Sequence, residues 1–141
     1  MYLPDINVWL GLAFLTHQHH AKAKAWYVGL APSATFRFCR VTQQGFLRLS
    51  TNPKSTPHQP QTMSEAWVVY DNFFTSSSIG FANEPAGIDS QWRQLTQRNT
   101  YSHKVWNDAY LAAFAICAGL ELVTLDQGFR QFPGLKLTLL T

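Results

Sequence analysis

Short apolar runs that end in an acidic residue alternate with helix-like patterns along this chain. Met1-Tyr2-Leu3-Pro4-Asp5 and Leu122-Val123-Thr124-Leu125-Asp126 are two such runs, and Asn107-Asp108-Ala109-Tyr110 sets a third carboxylate where a helix begins. Strands and helices in alternation point to an α/β sandwich, with a mostly parallel central sheet of about five strands flanked by helices. In such folds ligands bind in the crevice beyond the strand C-termini. The chain holds only eight acidic residues, so three at these junctions are a large share. Carboxylates crowded together repel unless a hard cation neutralises them. The expectation is a small metal-dependent nuclease centred on Asp5, Asp108 and Asp126.

At 141 residues the chain has the length of one domain, residues 1–141. Apolar residues make up 46%, enough for one well-filled core, whereas charged residues make up only 13%, well below the roughly 25% usual in soluble domains. The surface must then rely on neutral polar groups or be covered in part by a partner. The formal charge of +3 suits a polyanion without demanding one. Cys39 and Cys117 have no neighbouring cysteine and read as buried free thiols of a reducing cytosol. The N-terminus lacks the basic flank of a signal peptide, and no run approaches the ~20 apolar residues of a membrane span. A soluble cytoplasmic protein is expected.

The pattern predicts a strand over Met1–Leu3 and a helix over Ile6–Leu15 with Val8, Leu12 and Leu15 on one side. After a polar turn at Thr16–His20, a second helix covers Ala21–Val28 and a strand covers Ala34–Phe38. Val41–Ser50 reads as a third helix. Thr51–Gln61 carries three prolines and reads as a long exposed loop of the functional kind. Thr62-Met63-Ser64-Glu65 is a capping box that starts a helix running to about Phe74. Ile79–Ala82 is a short strand, and Ile88, Trp92 and Leu95 mark another helix. Asn107 or Asp108 then caps an alanine-rich helix ending at Ala118, before strands over Glu121–Leu125 and Lys136–Leu140.

Mg²⁺ typically takes one or two protein carboxylates, several waters and a phosphate oxygen, and three aspartates could supply that. Taken singly, each has a structural reading: Asp108 as a helix cap, Asp5 and Asp126 as strand-end turn residues. Arg40 and Arg48, which flank Gln43, and Lys54 in the following loop are the expected contacts to a nucleic-acid backbone. His17, His19 and His20 lack a further ligand at zinc spacing and read as solvated loop residues. The five tryptophans read as core or partner-interface residues.

Four segments, in order, resemble the motifs of the PIN domain. Leu3-Pro4-Asp5-Ile6-Asn7-Val8-Trp9-Leu10 is similar to its opening, and Cys39-Arg40-Val41-Thr42-Gln43-Gln44-Gly45-Phe46-Leu47-Arg48-Leu49 to its second motif. Asn107-Asp108-Ala109-Tyr110-Leu111-Ala112-Ala113 and Val123-Thr124-Leu125-Asp126-Gln127-Gly128-Phe129 are similar to the third and fourth. Their order and spacing resemble the VapC toxins of bacterial toxin–antitoxin pairs. The resemblance implies an Mg²⁺- or Mn²⁺-dependent endoribonuclease, a small antitoxin that occupies the cleft, and a homodimer. It implies that Asp5, Asp108 and Asp126 are catalytic metal ligands. It gives supporting roles to Asn7, which holds the site by hydrogen bonding, and to Thr124, which orients a ligand or water. The family's second acid, usually Glu, falls at Gln43. That departure removes one negative charge and supports an alternative, a catalytically silent PIN-like module that binds RNA or an antitoxin. A phosphatase of another α/β fold would want an Asp-x-Asp pair, where this chain has Asp5-Ile6-Asn7.

Overall fold

The computed structural model describes residues 1–56 and 60–141. Strand β1 (Tyr2–Pro4) leads into α1 (Ile6–Ala13) and α2 (His20–Val28), then β2 (Phe36–Phe38), α3 (Arg40–Ser50) and α4 (Met63–Phe73). Strand β3 (Ile79–Phe81) precedes α5 (Ile88–Thr96) and α6 (Val105–Ala118). Strand β4 (Glu121–Thr124), a 3₁₀ turn (Gln127–Gln131) and β5 (Leu137–Leu139) complete the order. The five strands form one sheet in the order β3-β2-β1-β4-β5, and every pairing is parallel.

Side-chain alternation along the strands feeds two layers. Leu3 and Leu122 are fully buried on the side covered by α5 and α6, against Leu95, Ala109, Ala112 and Ala113. Val123, the next residue along β4, packs on the opposite side with Val8 and Ala23. There Trp9 stacks on Phe38 at 3.9 Å, within a cluster that includes Phe46 of α3 and Tyr70 of α4. The alanines of α6 let it lie close to the sheet. Gly119, at φ 67°, ends that helix in the left-handed conformation that glycine adopts at little cost. The Thr62–Glu65 capping box forms as expected. No helix is long and apolar enough to cross a membrane among the described residues.

Several expected details differ. Helix α1 stops at Ala13, because Phe14 turns back into the core while Leu15 stands 78% exposed. Helix α6 begins at Val105, so Asp108 lies inside its first turn and caps nothing. In the proline-rich loop, Thr56 is buried and its hydroxyl donates to the Ser50 carbonyl; Pro57, His58 and Gln59 of that expected loop lie outside the described residues. Both cysteines are free, but only Cys39 is buried; Cys117 is partly exposed.

Candidate active site

The chain's path reverses direction across the sheet between β1 and β4. Helical connections carry it from β1 outward to β2 and β3, and then back to β4 and β5 on the other side. A crevice opens at such a switch point, beyond the carboxyl ends of the two strands. Asp5 follows β1 and Asp126 follows β4, so the topology sets them on either side of it.

Asp5 is fixed by three bonds. Its backbone N–H donates to the Val123 carbonyl at 2.8 Å, which extends the β1–β4 ladder. Its Oδ1 accepts from the Ile6 N–H at 2.7 Å and caps α1. Its Oδ2 accepts from the Thr124 hydroxyl at 2.8 Å. Thr124 is fully buried, and its Oγ1 also accepts the Asp126 N–H at 3.0 Å. One hydroxyl thus links the two acids across the switch point. Asp126 is exposed, with Oδ1 accepting from the Gly128 N–H at 2.7 Å as the cap of the 3₁₀ turn.

Asp108 arrives from the helical layer. Its carboxyl is raised to about 6, first by burial and then by the negative charges of Asp5 and Asp126. Asp5 is also raised: burial dominates, the bonds from Thr124 and Ile6 oppose it, and the charge of Asp126 adds to it. The three expected acids therefore share one electrostatic neighbourhood. Among the described residues, no three His, Cys, Asp or Glu side chains stand close enough to hold one ion together. The donor set instead fits a hydrated hard cation, which takes one or two carboxylates directly and reaches others through water.

The supporting residues divide. Thr124 sits at the centre of the site. Asn7 is exposed in the first turn of α1 and bonds to none of the three acids. Gln43 is buried and bonds to none of the three acids: the Arg40 guanidinium donates to its Oε1 at 2.5 Å, and the Tyr70 hydroxyl interacts with the same side chain. The neighbouring glutamine, Gln44, is exposed on another face of α3. It lines a cleft of about 240 Å³ with Ile6, Val41, Gly45, Arg48 and Asn107, the chain neighbours of Asp5 and Asp108 among them. The sequence carries the signal for this, since Gln44, Gly45 and Arg48 follow Val41 by three, four and seven residues and share its helix face. Of the three expected phosphate contacts, Arg48 lines this cleft. Arg40 stacks over Phe81 at 5.0 Å, and Lys54 is exposed beyond the end of α3.

The PIN domain family model matches residues 2–135. Ribonuclease VapC41 of Mycobacterium tuberculosis is 44% identical over 144 aligned positions, covering 99% of this chain and 99% of that protein. Ribonuclease VapC38 of the same organism is 28% identical and covers 100% and 99%. Among solved structures, VapBC2 from Rickettsia felis, bound to a DNA fragment from its promoter, superposes with a TM-score of 0.73 at 17% identity over 99% of this chain and 98% of that one. VapC20 of M. tuberculosis, a sarcin–ricin loop cleaving toxin, gives 0.64 at 16% identity over 96% and 99%. These two structural likenesses bear on the fold. With a family model spanning nearly its whole length and a full-length relative at 44% identity, the chain belongs to the PIN-domain family.

Proposed function

We propose that this protein is a VapC-type toxin, an endoribonuclease that hydrolyses RNA phosphodiester bonds with Mg²⁺ or Mn²⁺. The observation that carries the reading is the Thr124 hydroxyl bridging Asp5 and Asp126 at the switch point, with Asp108 close enough to feel both charges. Three carboxylates held in mutual repulsion are a site built for a cation. Asp5 and Asp126 would hold it from the strand ends and Asp108 from the helix, some of them through water. The bound ion supplies Lewis-acid chemistry, shielding the phosphodiester charge and lowering the pKa of a water.

The chain's own residues prepare the rest. Thr124 aims the Asp5 carboxylate by donating to it and favours its ionised form against the burial that raises it. Arg48, in the neighbouring cleft, draws in the phosphate backbone. The neutral Gln43 was the main support for a silent module. Its amide engages Arg40 and Tyr70, which gives a neutral side chain a local role there and supports the active reading over the silent one. The antitoxin covers the cleft, and exposed Met63, Trp67 and Val68 of α4 offer apolar surface for that partner or for a second copy of the chain. The protein works in the cytoplasm, where Cys39 and Cys117 remain thiols.

The test is cleavage of structured RNA with and without Mg²⁺ or Mn²⁺, in the wild type and in Asp5→Asn. Asparagine still caps a helix about as well as aspartate, so the variant keeps its fold. Metal-stimulated cutting that disappears in Asp5→Asn is expected. Full activity in that variant removes the mechanism.

A further inference from the structure

A second cavity, of about 340 Å³, opens on the carboxyl edge of the sheet away from the acids. Arg40, Gln43, Tyr70, Asp71, Phe74 and Phe81 line it. Arg40 is the first residue of α3, directly after β2, and Phe81 is the last of β3, in register with Phe38. The cavity therefore lies beyond β2 and β3, on the same edge as Asp5. With neighbouring strands about 4.8 Å apart, a strand of RNA crossing the acids can set an adjacent nucleotide there.

Its chemistry is that of a base pocket. Phe74 and Phe81 supply apolar wall. The Arg40 guanidinium stacks over the Phe81 ring at 5.0 Å, which holds it flat. Gln43, only 8% exposed, takes a hydrogen bond from Arg40 at 2.5 Å and another contact from Tyr70. Arg40 and Asp71 line one cavity yet form no ion pair; Asp89–Arg93 is the salt bridge found among the described residues. A guanidinium with donors to spare beyond its bond to Gln43 and a carboxylate outside any ion pair among the described residues thus face one shallow space.

We infer that this cavity is a guanine-binding subsite for a nucleotide flanking the scissile bond, with Asp71 and Arg40 as its specificity-determining residues. The inference rests on the RNA-cleaving reading above for its biological use. Guanine offers acceptors at O6 and N7, which a guanidinium reads in bidentate fashion. On its Watson–Crick edge it offers adjacent N–H donors at N1 and N2, which suit a carboxylate. Adenine, cytosine and uracil do not present both edges, so the charge pair selects against them.

Two measurements test it. The full-length Asp5→Asn protein is titrated with GMP, AMP, CMP and UMP by NMR. GMP is expected to bind on the order of tenfold more tightly than the others, the discrimination of one good bidentate contact. Asp71→Asn, an exposed position, should erase the preference, and Arg40→Ala should weaken GMP binding. Equal affinity for the four nucleotides, or a GMP preference that survives Asp71→Asn, overturns the inference. In the second measurement, cut sites in a random RNA pool are sequenced. A guanine enriched at one fixed offset in wild type and lost in Asp71→Asn supports the subsite; an unchanged profile overturns it. A wild type that cuts nothing defeats the ribonuclease reading, while the nucleotide titration still decides this one.

Discussion

The Thr124 hydroxyl donates to Asp5 Oδ2 at 2.8 Å across 119 residues of sequence, and the same oxygen receives the Asp126 N–H. Thr124→Val keeps the shape and removes both bonds. A buried group left without its partner costs about 1–3 kcal/mol, so the urea midpoint should fall accordingly. Asp5 also loses a bond that favours its ionised form, which moves its carboxyl further up. Metal binding should then require higher pH than in wild type. Thr124→Ser should restore both properties. A Thr124→Val protein with unchanged stability and an unchanged pH profile would mean that the bridge holds nothing.

Asp108 makes the metal-free protein sensitive to pH. Its folded carboxyl is raised from 3.8 to about 6, so between those values the native state binds more protons than the unfolded chain. Stability must fall as pH rises through that window, and the loss is complete above it. Asp108→Asn should flatten the slope without abolishing it, because Asp5 is shifted in the same direction. Without metal, the variant should melt above wild type at neutral pH. Added Mn²⁺ should reverse that order by stabilising only the protein that retains the acid. Scanning calorimetry with and without Mn²⁺ checks both signs.

The readable and unreadable parts of this sequence separate by range. The box at Thr62 and Glu65 is local chemistry and stands where the pattern put it. The start of α6 has no such signal: its cap is Lys104, whose side chain makes no capping bond, so Asn107 and Asp108, strong cap-formers three and four residues on, mislead by a turn. Leu15 fits the apolar period of α1, but Phe14 takes the core place and ends the helix. Asp5 and Asp126 were legible as strand-end acids. That one threonine would join them depends on β1 pairing with β4, which no local pattern encodes. Motif position points to Gln43, but the partners that Gln43 takes, Arg40 one turn back and Tyr70 on α4, depend on how α3 packs against α4.

The two glutamines of α3 make opposite predictions. Gln44→Glu adds a carboxylate to the cleft shared with Ile6 and Asn107. A unit charge ~4 Å from a cation is worth ~1 kcal/mol even in water-like surroundings, so Mn²⁺ affinity should rise about fivefold or more in calorimetry. Gln43→Glu instead puts its charge against Arg40 and Tyr70 and should leave Mn²⁺ affinity where it was. An equal gain from both would show that the two side chains reach the same ion.

Gly45 couples the packing of α3 to the acid site. A Cβ placed there would lie 2.1 Å from Ile6 Cδ1 and 2.7 Å from Ile6 Cγ1, and the Ile6 N–H is the group that Asp5 Oδ1 caps. Gly45→Ala must therefore turn the Ile6 side chain or part α1 from α3, a strain of about 1–3 kcal/mol for overpacking. The Ile6 tip is flexible, so the lower end of that range is expected if the side chain alone moves. A larger cost, with weakened RNA cleavage, is expected if the backbone of Asp5 moves with it. Ile6→Ala clears the space, and the double variant should recover stability relative to the sum of the single changes, a coupling that a double-mutant cycle measures directly. Strict additivity in urea unfolding would show that the Ile6–Gly45 contact does not set the position of Asp5.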